Sequence, residues 1–126
     1  MDSHGNKPHI LLVDDNLINI KVTTLLLNEH GYDHIGIAQN GQQALDLFQN
    51  GYDVILLDIG LPDISGLDVC RMMREKLHGK KLPIIVITAH GDLIKQECLD
   101  AGANDFLSKP IDIHGLVSAI KKLINN

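Results

Sequence analysis

The chain has 126 residues, a formal net charge of −5, and 44% hydrophobic against 21% charged residues, which fits one ordinary globular domain with a core of its own. No apolar run approaches the roughly 20 residues that span a bilayer, and the polar start from Met1 to Pro8 lacks the apolar stretch of a signal peptide. No basic run exceeds Lys80-Lys81 or Lys121-Lys122, which argues against nucleic-acid binding, because a phosphate backbone demands a neutralising patch; a cytoplasmic protein without membrane contact is expected.

Residues 1–7 read as a disordered lead-in, and the pattern that follows alternates strand and helix five times. Ile10 to Val13 is an apolar strand running into Asp14-Asp15. Asn16 can cap a helix whose apolar positions are Ile18, Val22, Leu25 and Leu26, ended by Gly31. Asp33 to Ala38 alternates, with Ile35 and Ile37 on one face, as a strand at the sheet edge does. Asn40-Gly41 opens a short helix through Ala44, Leu45 and Phe48, closed by Asn50-Gly51. Val54 to Leu57 is wholly apolar, hence a central strand, and delivers Asp58. Pro62 and Gly66 punctuate a loop before a helix carrying Cys70, Met73 and Leu77, closed by Gly79. Pro83 starts the strand that runs through Ile84 to Ile87 into Thr88. Asp92 can cap a helix with Ile94, Cys98 and Ala101 inward and Gly102 at its end. Asp105 to Ser108 delivers Lys109 and Pro110. The last helix is the clearest, since Ile113, Leu116, Val117, Ile120, Leu123 and Ile124 keep the spacing of a helical face.

Strands alternating with helices imply right-handed βαβ units and a parallel sheet. The predicted fold is an α/β, flavodoxin-like, doubly wound five-stranded sheet of order 2-1-3-4-5 with five helices. Ligands of such sheets bind at the carboxyl ends of the strands. There Asp14, Asp15 and Asp58 converge, with Thr88 and Lys109 beside them. Two unit charges about 4 Å apart repel by roughly 1 kcal/mol in water and roughly 4 kcal/mol at the effective dielectric of a protein surface. Lys109 offsets one of the three negative charges. A divalent cation with hard oxygen ligands, such as Mg²⁺, would complement the rest; protonation of one carboxylate is the alternative. The seven histidines, at 4, 9, 30, 34, 78, 90 and 114, show no zinc-ligand spacing. Cys70 and Cys98 fall inside predicted helices and read as reduced, buried thiols.

From Pro8 to Ile124 the chain resembles the receiver domain of two-component response regulators. The resemblance rests on Leu-Val-Asp-Asp-Asn at 12–16, Leu-Leu-Asp-Ile-Gly-Leu-Pro-Asp-Ile-Ser-Gly at 56–66, Ile-Thr-Ala at 87–89 and Ser-Lys-Pro at 108–110. Asp14-Asp15-Asn16 followed by Asn19 and Val22 is most similar to receivers of hybrid histidine kinases and phosphorelays. On this resemblance residues 8–126 form the receiver. Asp58 is then the phosphoacceptor, taking a phosphoryl group from a partner's phosphohistidine. Asp15 ligates Mg²⁺ directly, Asp14 directly or through water, and Asp58 and the Gly60 carbonyl complete the protein ligands. Thr88 and Lys109 hold phosphoryl oxygens, Ala89 leaves room beside them, and a cis bond before Pro110 aims the ammonium inward. Thr88 and Phe106 form the switch. Gly60 and His90 flank the pocket, where the family tunes the lifetime of the phosphoryl group.

The implied partners are a histidine kinase or histidine phosphotransfer protein and a downstream protein at the face of the fourth helix, fifth strand and fifth helix. Leu17 and Ile18 either dock the partner's histidine domain or pack in the core. The chain would not be an enzyme beyond its own Mg²⁺-dependent phosphorylation and dephosphorylation, and would act alone or as part of a larger kinase. Three other readings compete with this one. A histidine phosphotransfer domain at His90 conflicts with the strands. A haloacid dehalogenase-type phosphatase needs an acid two residues after its nucleophile, where Gly60 and Asn16 stand. A phosphorylation-independent interaction module on the same fold stays open.

Overall fold

Apolar strands without a polar face can only be satisfied by cover on both sides, and the computed structural model, which describes residues 7–124, supplies it. Five strands, β1 (Ile10–Val13), β2 (Ile35–Ala38), β3 (Val54–Asp58), β4 (Ile84–Thr88) and β5 (Asp105–Ser108), alternate with five helices. These are α1 (Leu17–Glu29), α2 (Gly41–Leu47), α3 (Gly66–Glu75), α4 (Lys95–Asp100) and α5 (Ile113–Ile124). All pairings are parallel in the order β2-β1-β3-β4-β5, as expected, and every residue of β1, β3 and β4 is buried. The reading of residues 1–7 as a lead-in lies almost wholly outside the described residues. None of the described helices is long and apolar enough to cross a membrane.

Side chains alternate across the sheet. Ile10, Leu12, Val54, Leu56, Ile85 and Ile87 pack with α1 and α5 on one face. Leu11, Val13, Ile55, Leu57, Ile84 and Val86 pack with α2, α3 and α4 on the other. Asn16 and Asn40 cap α1 and α2 through their side chains, accepting from the Asn19 and Gln43 amides. The six apolar positions expected of α5 all lie in the first of these cores. Cys70 and Cys98 are free and buried, and burial pushes both thiols above their ordinary pKa.

Three local expectations are corrected. Leu77 is not on α3; it sits in a 3-10 turn at Leu77–Gly79 and is 78% exposed. Asp92 caps no helix, because Gly91–Ile94 forms a 3-10 turn that leads into α4 without a side-chain cap. On α1 the inward stripe is the buried Thr23 and Leu27 with the half-buried Ile20, whereas Leu17, Ile18, Val22 and Leu25 are exposed by 50% or more. Apolar residues occur on all sides of this helix, so spacing alone does not select the inner stripe.

Arg74, at the end of α3, is an unanticipated fastening. Its guanidinium donates to the carbonyls of Gly79 and Leu82 at 2.6 Å each, to the Gly102 carbonyl at 2.8 and 2.9 Å, and to Asn104 Oδ1 at 2.9 Å. It ties the α3–β4 loop and the α4–β5 turn to one helix end at the amino edge of the sheet, where C-terminal carbonyls favour a cation.

The two faces of α1 should behave differently in urea unfolding. Leu27→Ala should cost about 2–5 kcal/mol, and Ile18→Ala under about 0.5 kcal/mol, as for a surface substitution. Equal costs would mean that α1 is rotated from the orientation described.

Candidate functional site

The strand register sets the site. Val13 pairs with Leu57, so the next residues, Asp14 and Asp58, leave the sheet side by side. Both are buried, at 6% and 5% exposure, whereas Asp15 is exposed. One carboxylate oxygen from each of the three lies within 4.8 Å of the others. Lys109 Nζ donates to Asp58 Oδ2 at 2.8 Å, and the Gly60 N–H donates to Asp58 Oδ1 at 3.0 Å. The Asn16 N–H donates to Asp14 Oδ1 at 2.9 Å. The Asp58 carboxylate is thus held at both oxygens, one by charge and one by main chain.

Thr88 ends β4 with 1% exposure. Its Oγ1 accepts the His90 N–H at 2.9 Å, and its carbonyl accepts the Lys109 N–H at 2.8 Å. The Lys109–Pro110 peptide bond is cis. Gly60, Ala89 and His90 are exposed at the rim. Phe106 of β5 pairs with Val86 of β4 and is half-buried against the α2–α4 side of the core. The Lys95 ammonium lies 5.9 Å from its ring centroid, at the outer reach of a cation–π contact.

Burial raises the Asp14 pKa above the ordinary carboxylate value. The Asn16 N–H and Lys109 oppose that shift, while the charges of Asp58 and Asp15 add to it. A hard cation fits this donor set. All three side chains offer oxygen, and two oxygens on opposite sides of one Mg²⁺ lie about 4.2 Å apart given bond lengths of about 2.1 Å, within the observed spread.

Sequence reasoning missed a cavity of about 470 Å³ that opens beside the carboxylates. Asn19, Val22, Thr23 and Leu26 of α1 form one wall, Lys109, Pro110 and Ile111 the other, and Asp14 the floor. No residue pattern signals it, since it depends on the gap between a helix and a distant loop. Asp63 was missed too, although it stands inside the quoted 56–66 motif. Its Oδ1 accepts the Gly41 N–H at 2.7 Å and its Oδ2 the Gln42 N–H at 3.0 Å. Gly66 has a packing reason, because a Cβ there would meet the Asp58 carbonyl and Ile59 Cα.

A doubly wound α/β sheet with carboxylates, a hydroxyl and an ammonium gathered at the carboxyl ends of its strands defines a flavodoxin-like protein with its polar cluster where such sheets bind ligands. The response regulator receiver domain family matches residues 10–121, and the chain belongs to that family, the receivers of two-component signalling systems. The aerobic respiration control sensor protein ArcB of Escherichia coli is 40% identical over 116 residues, which is 90% of this chain and 15% of that protein. This chain therefore spans only a small part of the curated kinases it matches. Among solved structures, the receiver domain of sensor histidine kinase PA1611 from Pseudomonas aeruginosa, with a magnesium ion coordinated in its active-site cleft, is 34% identical. It superposes with a TM-score of 0.87, covering 95% of this chain and 99% of that one. The receiver domain of Ssk1 from Saccharomyces cerevisiae, in complex with the histidine phosphotransfer protein Ypd1, is 29% identical with a TM-score of 0.86, covering 94% and 90%.

A raised pKa in the folded state means that ionising Asp14 costs folding stability. The cost is absent below the ordinary carboxylate pKa, sets in as pH rises toward the raised value, and is complete above it. In the presence of a chelator, Asp14→Asn should therefore melt at a higher temperature than wild type at neutral pH. The gap should close as pH falls to the ordinary carboxylate range; a gap that widens there would contradict the assignment.

Proposed function

We propose that Asp58 is the phosphoacceptor of this receiver. The observation that supports it best is a buried carboxylate, 2.8 Å from an ammonium, grouped with two further carboxylates in a cluster suited to a hard cation. An Asp58 oxygen attacks the phosphorus of a donor's phosphohistidine. The O–P bond forms as the P–N bond breaks, and the electron pair leaves on the imidazole, which takes up a proton. Asp14, Asp15, Asp58 and the Gly60 carbonyl would hold Mg²⁺, which neutralises charge on the transferring group.

The chain's own residues do the positioning. Lys109 holds Asp58 at Oδ2 before transfer and a phosphoryl oxygen after it, which stabilises the charge that develops. Thr88 supplies its hydroxyl to a second phosphoryl oxygen. Because Thr88 already accepts the His90 and Lys109 amides, its movement draws on both neighbouring loops. A phosphoryl group adds about −1.5 to −2 charge, which is the force available for switching. Phe106 carries no hydroxyl, so its part in the switch is one of packing. Self-phosphorylation and self-dephosphorylation are the only catalysis in this reading, and the cytoplasm is its setting.

The exposed stripe of Leu17, Ile18, Val22 and Leu25 flanks the site and suits docking by a helical histidine kinase or histidine phosphotransfer partner. The surface of α4, β5 and α5, with Leu93 in the turn just before α4 86% exposed, suits a downstream protein.

Incubation with acetyl phosphate and Mg²⁺ should add one phosphoryl group by intact mass, and chelator or Asp58→Asn should abolish it. An adduct that survives Asp58→Asn would reassign the nucleophile. A wild type that takes no phosphoryl group from acetyl phosphate or from a phosphohistidine donor would favour the phosphorylation-independent module. Ile18→Ser should slow transfer from a phosphorylated histidine domain while leaving uptake from acetyl phosphate unchanged. Equal slowing of both would place Ile18 within the site and not on a docking face.

A further inference from the structure

The loop that follows Asp58 is held at three places. At its start the Ile59 N–H donates to the Ile87 carbonyl at 3.2 Å, and the Gly60 N–H reaches Asp58 Oδ1. At its end the Gly66 N–H donates to the Ile59 carbonyl at 2.9 Å, which also accepts the Leu61 N–H. Between these, Asp63 reaches out of the loop to the first two amides of α2, 22 and 21 residues earlier in the chain. Those amides have no partner inside their own helix, and the third, Gln43, is taken by Asn40. Backbone N–H groups, that of Gly41 foremost and then those of Gln42, Ile64 and Asp63 itself, hold the Asp63 carboxyl below its ordinary pKa against an opposing cost of desolvation. The approach is close on the other side as well. A Cβ on Gly41 would stand 2.9 Å from Val69 Cγ2, 3.0 Å from Ile64 Cβ and 3.2 Å from Asp63 Oδ1, so the absence of a side chain there lets loop and helix meet.

We propose that Asp63 is a positioning residue for the acceptor site: by fastening the loop to α2 it fixes Gly60 against Asp58. It touches neither the phosphoryl group nor the cation. Its influence runs through the main chain to the Gly60 N–H on Asp58 Oδ1, and so to the orientation of the carboxylate that Lys109 holds only at Oδ2. Without the tether the second oxygen is free to turn, and the three carboxylates no longer present one donor set. This inference rests on the reading of Asp58 and its neighbours as a Mg²⁺-dependent acceptor.

The test compares Mg²⁺ affinity, read from amide chemical shifts during titration with MgCl₂, in wild type, Asp63→Ala, Asp63→Asn and Asn40→Ala. Amide hydrogen exchange at Gly60 is the second readout. Asp63→Ala should weaken Mg²⁺ binding by about 10-fold, the lower end of what removal of a ligand-orienting group costs, and should speed exchange at Gly60. Asp63→Asn keeps one acceptor oxygen for the two amides and should fall between Asp63→Ala and wild type, which keeps the question answerable if Asp63→Ala does not fold. Asn40→Ala removes the other cap of α2 and should lower the melting temperature while leaving Mg²⁺ affinity and Gly60 exchange as in wild type. Unchanged affinity in both Asp63 variants, or an equal loss in Asn40→Ala, overturns the inference and leaves the acceptor reading intact. A wild type whose resonances do not respond to Mg²⁺ overturns both.

Discussion

Charge crowding at one edge of the sheet is the constraint around which this molecule is arranged. The order β2-β1-β3-β4-β5 makes β1 and β3 neighbours, so two strands built to be buried must end in adjacent carboxylates, with Asp15 next in the chain. Each like-charged pair at about 4 Å costs roughly 4 kcal/mol at the effective dielectric of a protein surface. One ammonium, delivered by β5 from across the sheet, offsets part of it. The rest is tolerated because the fold is over-determined elsewhere, with a continuous core on each face of the sheet. The site is thereby prepared for added positive charge and for the anion that such charge attracts.

The remaining contacts follow from that need. The Asp58 carboxylate is kept from swinging by Lys109 on one oxygen and the Gly60 N–H on the other. The residues that carry the hydroxyl and the ammonium are joined directly, by the hydrogen bond from the Lys109 N–H to the Thr88 carbonyl. Gly66 closes against the backbone of Asp58 and Ile59, so the loop that surrounds the site is packed onto it.

Much of this was legible in the chain because the signals are local. Apolar runs ending in Asp14, Asp58, Thr88 and Lys109 state both strand and site, and Asn16 and Asn40 announce helix starts by short side chains that can reach back to an amide. The α5 face was legible for another reason, since its polar residues fall on one side only. Where the sequence failed, the deciding partner lay far away. Nothing in Leu17-Ile18-Asn19-Ile20 says which isoleucine meets the sheet; that depends on how α1 sits over β1 and β3. Asp92 has the chemistry of a cap, yet a 3-10 turn took its place. Arg74 carries no visible cue, because its acceptors are main-chain carbonyls of residues 79, 82 and 102, and carbonyls belong to every residue. Asp63 shows the same limit, as its role exists only once α2 is brought beside the loop.

The Arg74 fastening has a mechanical consequence for α4. Its far end, at Gly102 and Asn104, is pinned by a guanidinium to α3. Its near end, at Gly91–Ile94, begins in a turn without a side-chain cap and sits next to Thr88 and His90. A rod clamped at one end moves most at the other, so any displacement of α4 would grow with distance from the Arg74 clamp. The clamp and the uncapped end of α4 thus lie on opposite edges of the sheet, with the uncapped end beside Thr88.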